Sequence, residues 1–143
     1  MVVSDVARQF GGARAVRRPL RSPLDLARAV EGGLPVETAD ALVEGGALDA
    51  AELYRLVLPR RTLSHRRAQG GRLTPAESDR VARVARAVAL AQETLGNPVK
   101  ARVWLRRPNR ELGGTPPLDL LATDQGARTV EAVLDRLAYG VYA

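Results

Sequence analysis

Apolar residues in this chain recur every three or four positions, the spacing that places side chains on one face of an α-helix. The clearest example lies in the segment 75–95. Its apolar members are separated by 3, 4, 3 and 4 positions and are Val81, Val84, Val88, Ala91 and Leu95. We therefore expect a long helix here, with one apolar stripe that packs against a neighbouring or symmetry-related helix.

Helix start and stop signals surround this segment. Thr74 has the place of an N-cap, Pro75 that of the first helical residue, and Glu77 that of the third residue, whose carboxylate reaches back to the cap. Gly96 is the expected C-terminal stop. Similar signals predict shorter helices over about 23–31, 35–44, 49–58, 60–69 and 98–107, a short helix or turn over 116–121, and a last helix from 124 towards the chain end.

No segment alternates between apolar and polar residues for long enough to predict a β-sheet. We therefore predict an all-α fold. Residues 1–21 contain five arginines and no apolar period, so we expect a basic, mobile arm there. Residues 22–95 are predicted to form a helix-turn-helix-like subdomain together with the long central helix, which serves dimerisation. Residues 96–143 are predicted to form a small helical C-terminal domain.

Composition limits the chemistry that this chain can perform. Of its 143 residues, 45% are apolar, which is enough to fold one domain. It has no cysteine and a single histidine, His65, so disulfides and most transition-metal sites are excluded. No acidic pair has the spacing of a catalytic or cofactor motif. We expect a non-enzymatic protein with no catalytic residue, no metal and no cofactor.

The expected location is cytoplasmic, with no membrane partner. The longest apolar runs are far shorter than the roughly 20 residues that span a bilayer. The first residues also lack the apolar region of a signal peptide.

Positive charge is concentrated in one window. The formal net charge is +6, and residues 53–76 alone contain six arginines and no acid. The predicted helix in this window follows another short helix after a break, as in a helix-turn-helix, and arginine can pair with guanine or with phosphate. The candidate DNA-binding residues are Arg60, Arg61, Ser64, His65, Arg66 and Arg67. The alternatives are a solvated basic face and a face that meets an acidic protein.

Two features of the C-terminal third are candidates for packing or binding. Trp104 is the only tryptophan, and we expect it to anchor the core, with Val99 and Val103 beside it on the inner face of the helix 98–107. Two of the three tyrosines, Tyr139 and Tyr142, lie in the last five residues. Tyrosine at an exposed chain end is typical of a binding surface, although this end could instead fold back onto the core.

The order of residues in this third resembles the toxin-binding domain of antitoxins in the Xre/MbcA/ParS family. The residues that carry the resemblance are Trp104-Leu105, Pro108-Asn109, Leu112-Gly113-Gly114, Pro117-Leu118-Asp119-Leu120-Leu121, Thr123, Gly126 and Tyr139-Gly140. Thr62-Leu63, Arg66, Gly71, Leu73 and Glu77 to Arg80 are similar to the Xre-like helix-turn-helix of the same antitoxins. The resemblance covers about residues 35–143.

The resemblance implies an antitoxin that binds a RES-domain toxin, an enzyme that degrades NAD or transfers ADP-ribose. It implies that the antitoxin's end enters the toxin's NAD cleft. The residues placed there are Tyr139, Gly140, Val141, Tyr142 and Ala143, with Arg136 nearby as a further toxin-binding residue. We also expect a homodimer that binds operator DNA and represses its own operon. The alternative function is a stand-alone transcriptional regulator whose C-terminal domain only dimerises.

Overall fold

A 21-residue helix, Pro75–Leu95, runs through the middle of the computed structural model, which describes residues 2–140. We number the α-helices of these residues in chain order, and this helix is α7. The others are α1 (Val3–Arg8), α2 (Gly12–Val16), α3 (Pro23–Glu31), α4 (Glu37–Glu44), α5 (Ala50–Leu56), α6 (Arg60–Ala68), α8 (Pro98–Arg106) and α9 (Asp124–Ala138). Two 3-10 helices, Arg110–Leu112 and Pro117–Ala122, connect α8 to α9. The described residues contain two isolated β-bridges and no strand, which confirms the all-α prediction.

The ends of α7 follow the predicted capping signals. The Thr74 hydroxyl accepts a hydrogen bond from the backbone N–H of Glu77, and the Glu77 carboxylate accepts one from the N–H of Thr74. Gly96 ends the helix with a φ of +70°, a left-handed conformation that glycine adopts without steric cost. The capping box also fixes where Glu77 points, which matters for the basic helix described below.

The apolar stripe of α7 is covered by helices of the same chain. Val81, Val84, Val88 and Ala91 are each at most 2% exposed. Helices α1, α3, α4, α8 and α9 all contact α7. Ala85, Ala87 and Ala89 are buried as well, and such small side chains let neighbouring helices approach closely. The predicted partner of the stripe is therefore a neighbouring helix within the chain.

The prediction of a mobile arm over residues 1–21 is wrong. Phe10 is fully buried, and Val6, Val16 and Leu20 join the same core. The side chain of Gln9 in addition donates a hydrogen bond of 2.9 Å to that of Gln92 on α7. The segment lacked a helical period because its apolar residues are divided between two short helices and the turns around them, with the arginines on the outside.

The predicted inner face of α8 is also wrong. Val99 is 62% exposed and Val103 48% exposed, whereas Ala101 and Leu105 are buried. Trp104 is partly buried against the core, so the anchoring role expected of it is only partly met. This helix has two apolar stripes on opposite sides, and it turns the stripe of Ala101 and Leu105 towards α7 and the second 3-10 helix.

One glycine allows a close approach in the C-terminal domain. A Cβ on Gly126 would lie 2.0 Å from the carbonyl oxygen of Leu120, so any side chain there would separate α9 from the 3-10 helix before it. Gly126 therefore serves close packing at the start of α9.

We predict that Phe10→Ala lowers the free energy of unfolding by about 3–5 kcal/mol, because it empties a fully buried aromatic site. Urea denaturation followed by circular dichroism would measure the change. Arg14→Ala, at an exposed position of α2, is the matched control and should cost much less. Equal stability of the two variants would mean that the N-terminal helices do not pack as described.

Candidate functional site

The exposed surface of α6 is the first candidate site. This helix follows α5 after a short break that ends at Pro59, and buried Leu63 attaches it to the core. Arg60, Arg61, Ser64 and His65 all lie on its exposed side. Neither Arg60 nor Arg61 forms an ion pair with another residue of the described range 2–140. These four side chains are free to meet a ligand.

Arg66 is held by the capping box of α7. Its Nε and Nη2 donate to Oε1 and Oε2 of Glu77 at 2.9 and 3.0 Å, and the Glu77 side chain is only 8% exposed. The hydrogen bonds from Arg66 hold the pKa of the Glu77 carboxyl below its usual value, and they raise the pKa of Arg66. This two-pronged pair attaches α6 to the start of α7. Arg66 is therefore a positioning residue for the basic helix.

Arg67 is held in a similar way by α4. Both of its terminal nitrogens donate to the carboxylate of Asp40, and these hydrogen bonds raise the pKa of Arg67. The Arg67 side chain is still about half exposed, so the pair is open to solvent and to a ligand. The structure thus separates the six predicted DNA-binding residues into four exposed side chains and two that orient the helix.

Other arginines connect the N-terminal helices to the C-terminal third. Arg106 on α8 donates from Nη2 and Nε to the two Glu52 oxygens on α5 at 2.8 and 3.0 Å. Arg55 on α5 donates to Asp119 of the second 3-10 helix at 2.8 Å. Part of the positive charge of the chain is therefore engaged in internal ion pairs. These pairs join α5 to the C-terminal third.

The end of α9 is the second candidate site. Tyr139 follows the last helical residue and is 81% exposed. Gly140 continues with a left-handed φ of +65°. Arg136 lies 3.7 Å from Glu111 on the first 3-10 helix, a long and largely exposed ion pair. Tyr139 does not fold back onto the core, and Val141, Tyr142 and Ala143 lie outside the described residues.

Residues 2–140 hold no cluster of three or more histidine or carboxylate side chains arranged to bind a metal ion. None of the helices in that range has the length and apolarity to cross a membrane.

Comparison with known proteins gives two matched domains and three similar chains. Residues 25–86 match the Xre-like helix-turn-helix domain of antitoxins, and residues 90–140 match the C-terminal toxin-binding domain of Xre/MbcA/ParS antitoxins. An Antitoxin Xre of Yersinia enterocolitica is 33% identical over 132 residues, covering 91% of this chain and 89% of its own. One of Pseudomonas putida is 33% identical over 85% of this chain and 76% of its own, and one of Photorhabdus laumondii 31% over 90% and 88%.

This chain belongs to the Xre/MbcA/ParS antitoxin family. Its class is therefore that of an antitoxin in a toxin–antitoxin system, with a helix-turn-helix domain of DNA-binding type and a toxin as partner of its C-terminal domain. An antitoxin acts as a regulator, and the family gives no reason to assign this chain an enzymatic activity.

The structure of the antitoxin places the candidate sites on different matched domains. The exposed residues of α6 lie within 25–86, and Arg136, Tyr139 and Gly140 lie within 90–140. Helix α7 belongs to both domains, because it begins in one range and ends in the other. The buried N-terminal helices α1 and α2 lie outside both ranges.

Sequence reasoning missed the acids that hold the basic helix. Glu77 was assigned a capping role, which is confirmed, but its second partner Arg66 was not foreseen. Asp40 was not assigned a role at all, although it is the partner of Arg67. The sequence signal for this pair is weak, because Asp40 precedes Arg67 by 27 positions and only the folded chain brings the two side chains together.

We predict that Glu77→Gln lowers the thermal midpoint of the antitoxin by about 3–6 °C at neutral pH, because the pair with Arg66 is lost. The pKa of Glu77 is lowered on folding, so its stabilisation is present above the ordinary carboxyl pKa and is lost as the pH falls through the depressed value. Melting curves of both proteins should therefore converge as the pH is lowered. Glu44→Gln, the same substitution at an exposed acid of α4 outside the ion pairs described above, is the control and should change little. A constant difference at all pH values would contradict the role of Glu77.

Proposed function

We propose that this antitoxin neutralises a RES-domain toxin by inserting its C-terminal end into the toxin's NAD site. The observation that carries the proposal is the exposure of Tyr139, directly after α9 and within the region matched to a toxin-binding domain. A large aromatic side chain gains little from water contact, and tyrosine is common at the centre of protein interfaces. The RES-type partner, which consumes NAD or transfers ADP-ribose, is inferred from the family resemblance of the C-terminal third.

Inhibition in this proposal is steric. In it, the residues that fill the cleft that NAD would enter are Tyr139, Gly140, Val141, Tyr142 and Ala143. Arg136 stands at the rim, where its long contact with Glu111 leaves the guanidinium able to exchange partners with a group on the toxin. Each antitoxin chain would then block one toxin site, and no chemical step on the antitoxin is needed.

We further propose that α6 binds the operator of the antitoxin's own operon. Arg60, Arg61, Ser64 and His65 would contact the DNA, with arginine reaching either base edges or phosphates. Arg66 and Arg67 would keep the helix in place through Glu77 and Asp40. Phosphate contacts of this kind make the affinity fall steeply as salt is added.

The proposed homodimer needs a surface other than the stripe of α7, which is buried within the chain. A cavity of about 430 Å³ lies between α1, α3 and α7, and its lining is mostly apolar, with Asp79 and Arg86 at the side of α7. Exposed Val2 lines it, and exposed Leu24 directly follows Pro23, which lines it as well. A hollow next to protruding apolar side chains can be self-complementary across a two-fold axis, so we place the homodimer contact here.

We predict that the two functions can be removed separately. A chain ending at Ala138 should fail to neutralise the toxin but should bind operator DNA as before. The double substitution Arg60→Ala and Arg61→Ala should do the reverse. Co-expression with the product of a neighbouring RES-domain reading frame, scored by growth and cellular NAD, would measure neutralisation, and an operator shift assay would measure DNA binding. If the truncated chain rescues growth fully, the end does not block the toxin. If the unaltered chain neither rescues nor binds the RES-domain product, the stand-alone regulator is the better reading.

We predict that Leu24→Asp makes the antitoxin monomeric, because a carboxylate would be buried in the proposed dimer contact. Light scattering after size-exclusion chromatography would give the mass of each protein at the same concentration. Arg28→Ala, an exposed change on the same helix, should leave the dimer intact. A Leu24→Asp protein that keeps the mass of the unaltered protein would exclude this surface.

A further inference from the structure

Helix α8 presents an apolar stripe to solvent that the fold does not use. Val99 and Val103 are one turn apart on this side, and Ala101 and Leu105 fill the core from the opposite side. Within residues 2–140, the large apolar side chains that are this exposed are Val2, Leu24, Val99, Val103 and Tyr139. The stripe on α8 is distant in sequence from the other three, and neither of the contacts proposed above includes it.

The two valines line a surface groove of about 300 Å³. Its other lining residues are Leu95 at the end of α7 and Lys100, Trp104 and Arg107. Trp104 packs partly against the core and partly faces the groove, so the tryptophan expected to be an internal anchor also supplies apolar surface to the outside. We call this feature the α8 groove.

The surroundings of the α8 groove are strongly basic. Residues 96–110 contain five basic residues and no acid: Lys100, Arg102, Arg106, Arg107 and Arg110. Arg106 is paired with Glu52, and the guanidinium of Arg102 lies over Gly46, where an added Cβ would come within 2.6 Å of it. Lys100 and Arg107 remain at the edge of the groove. The groove thus combines an apolar floor with positive edges.

We propose that the α8 groove is a second docking site for the toxin, and that it receives an apolar side chain flanked by carboxylates on the toxin surface. This inference rests on the proposed function. The whole groove, from Leu95 to Arg107, lies inside the region 90–140 matched to a toxin-binding domain, so it belongs to the same domain as the chain end. Apolar contact and opposite charge together favour a protein partner of acidic character.

Two other occupants fit less well. A second copy of the antitoxin would bring this basic region against itself, and like charges across an interface are unfavourable. DNA phosphates would pair with Lys100 and Arg107 at the edges of the groove, but a phosphate gains nothing from contact with the exposed valines. The toxin is therefore held at two points, the groove and the chain end, and only the end enters the NAD site.

The two-point arrangement has a measurable consequence. A chain ending at Ala138 keeps the α8 groove, so it should still bind the toxin, although more weakly, while failing to inhibit it. Binding and inhibition would then be separable, which does not follow if the chain end is the whole contact.

Val99→Asp and Ala76→Asp form a matched pair for the test. Each replaces an exposed residue that is the second of a helix beginning with proline, and Ala76 belongs to none of the contacts proposed above. An acid in the first turn of a helix is favourable, so both variants should fold. Titration calorimetry of full-length proteins with the purified product of the neighbouring RES-domain reading frame would give the affinity per site. We expect Val99→Asp to raise Kd tenfold or more and Ala76→Asp to change it less than twofold. Lys100→Glu should also raise Kd and reduce its dependence on salt.

The outcomes distinguish this inference from the proposed function. Unaltered affinity of Val99→Asp, or an equal loss in Ala76→Asp, overturns the groove and leaves inhibition by the chain end intact. A change in self-association or in operator affinity in place of toxin affinity assigns the groove to a second copy or to DNA, and also overturns it. Failure of the unaltered antitoxin to bind the RES-domain product overturns both proposals together.

Discussion

The fold depends on the burial of α7 from several sides. Its valines and alanines contact helices from the N-terminus, the helix-turn-helix domain and the toxin-binding domain, so one strip of apolar surface supports all three. The free energy of apolar burial grows with the area removed from water, and no other helix of the described residues is shared in this way. The two matched domains are therefore separate in sequence but share one core.

Ion pairs of arginine then decide what surface this core presents. Glu77 and Asp40 hold the basic helix α6, and Glu52 and Asp119 join α5 to the C-terminal third. Each pair has a modest effect on stability where it is exposed, but each one fixes an orientation. The charge that reaches solvent is what remains after these internal pairs are made. This remainder includes Arg60 and Arg61 on α6 and the basic residues around α8, which lie on different matched domains of the molecule.

Much of the fold could be predicted from local signals, because capping residues, prolines and glycines act within one turn of the chain. Thr74, Glu77 and Gly96 fix both ends of α7 in this way. Two features depended on distant contacts and were mispredicted. The N-terminal helices are too short to show a period, and Phe10 finds its place only in the assembled core. On α8, either apolar stripe could have faced inward, and only the contacts with α7 and the second 3-10 helix decide between them.

The candidate sites could also be predicted only in part, because some of their contacts are distant in sequence. Exposure of Arg60, Arg61 and Tyr139 agrees with the roles that the sequence suggested for them, although their contacts with DNA and toxin stay predictions. The roles of Arg66 and Arg67 in holding α6 could not be read from spacing, since their acids come from other helices.

The sharing of α7 also limits how such antitoxins can diverge. A toxin-binding domain exchanged between two relatives would carry its half of the interface into a core shaped by another sequence, and mismatched side chains in a close-packed core are costly. The hydrogen bond between Gln9 and Gln92 joins the N-terminal helices to the far end of α7, so these two residues would have to be exchanged together as well. We therefore expect new partner specificity in this architecture to arise by substitution on the outer surfaces of α8 and α9. The sequence of α7, which both domains share, is expected to stay unchanged.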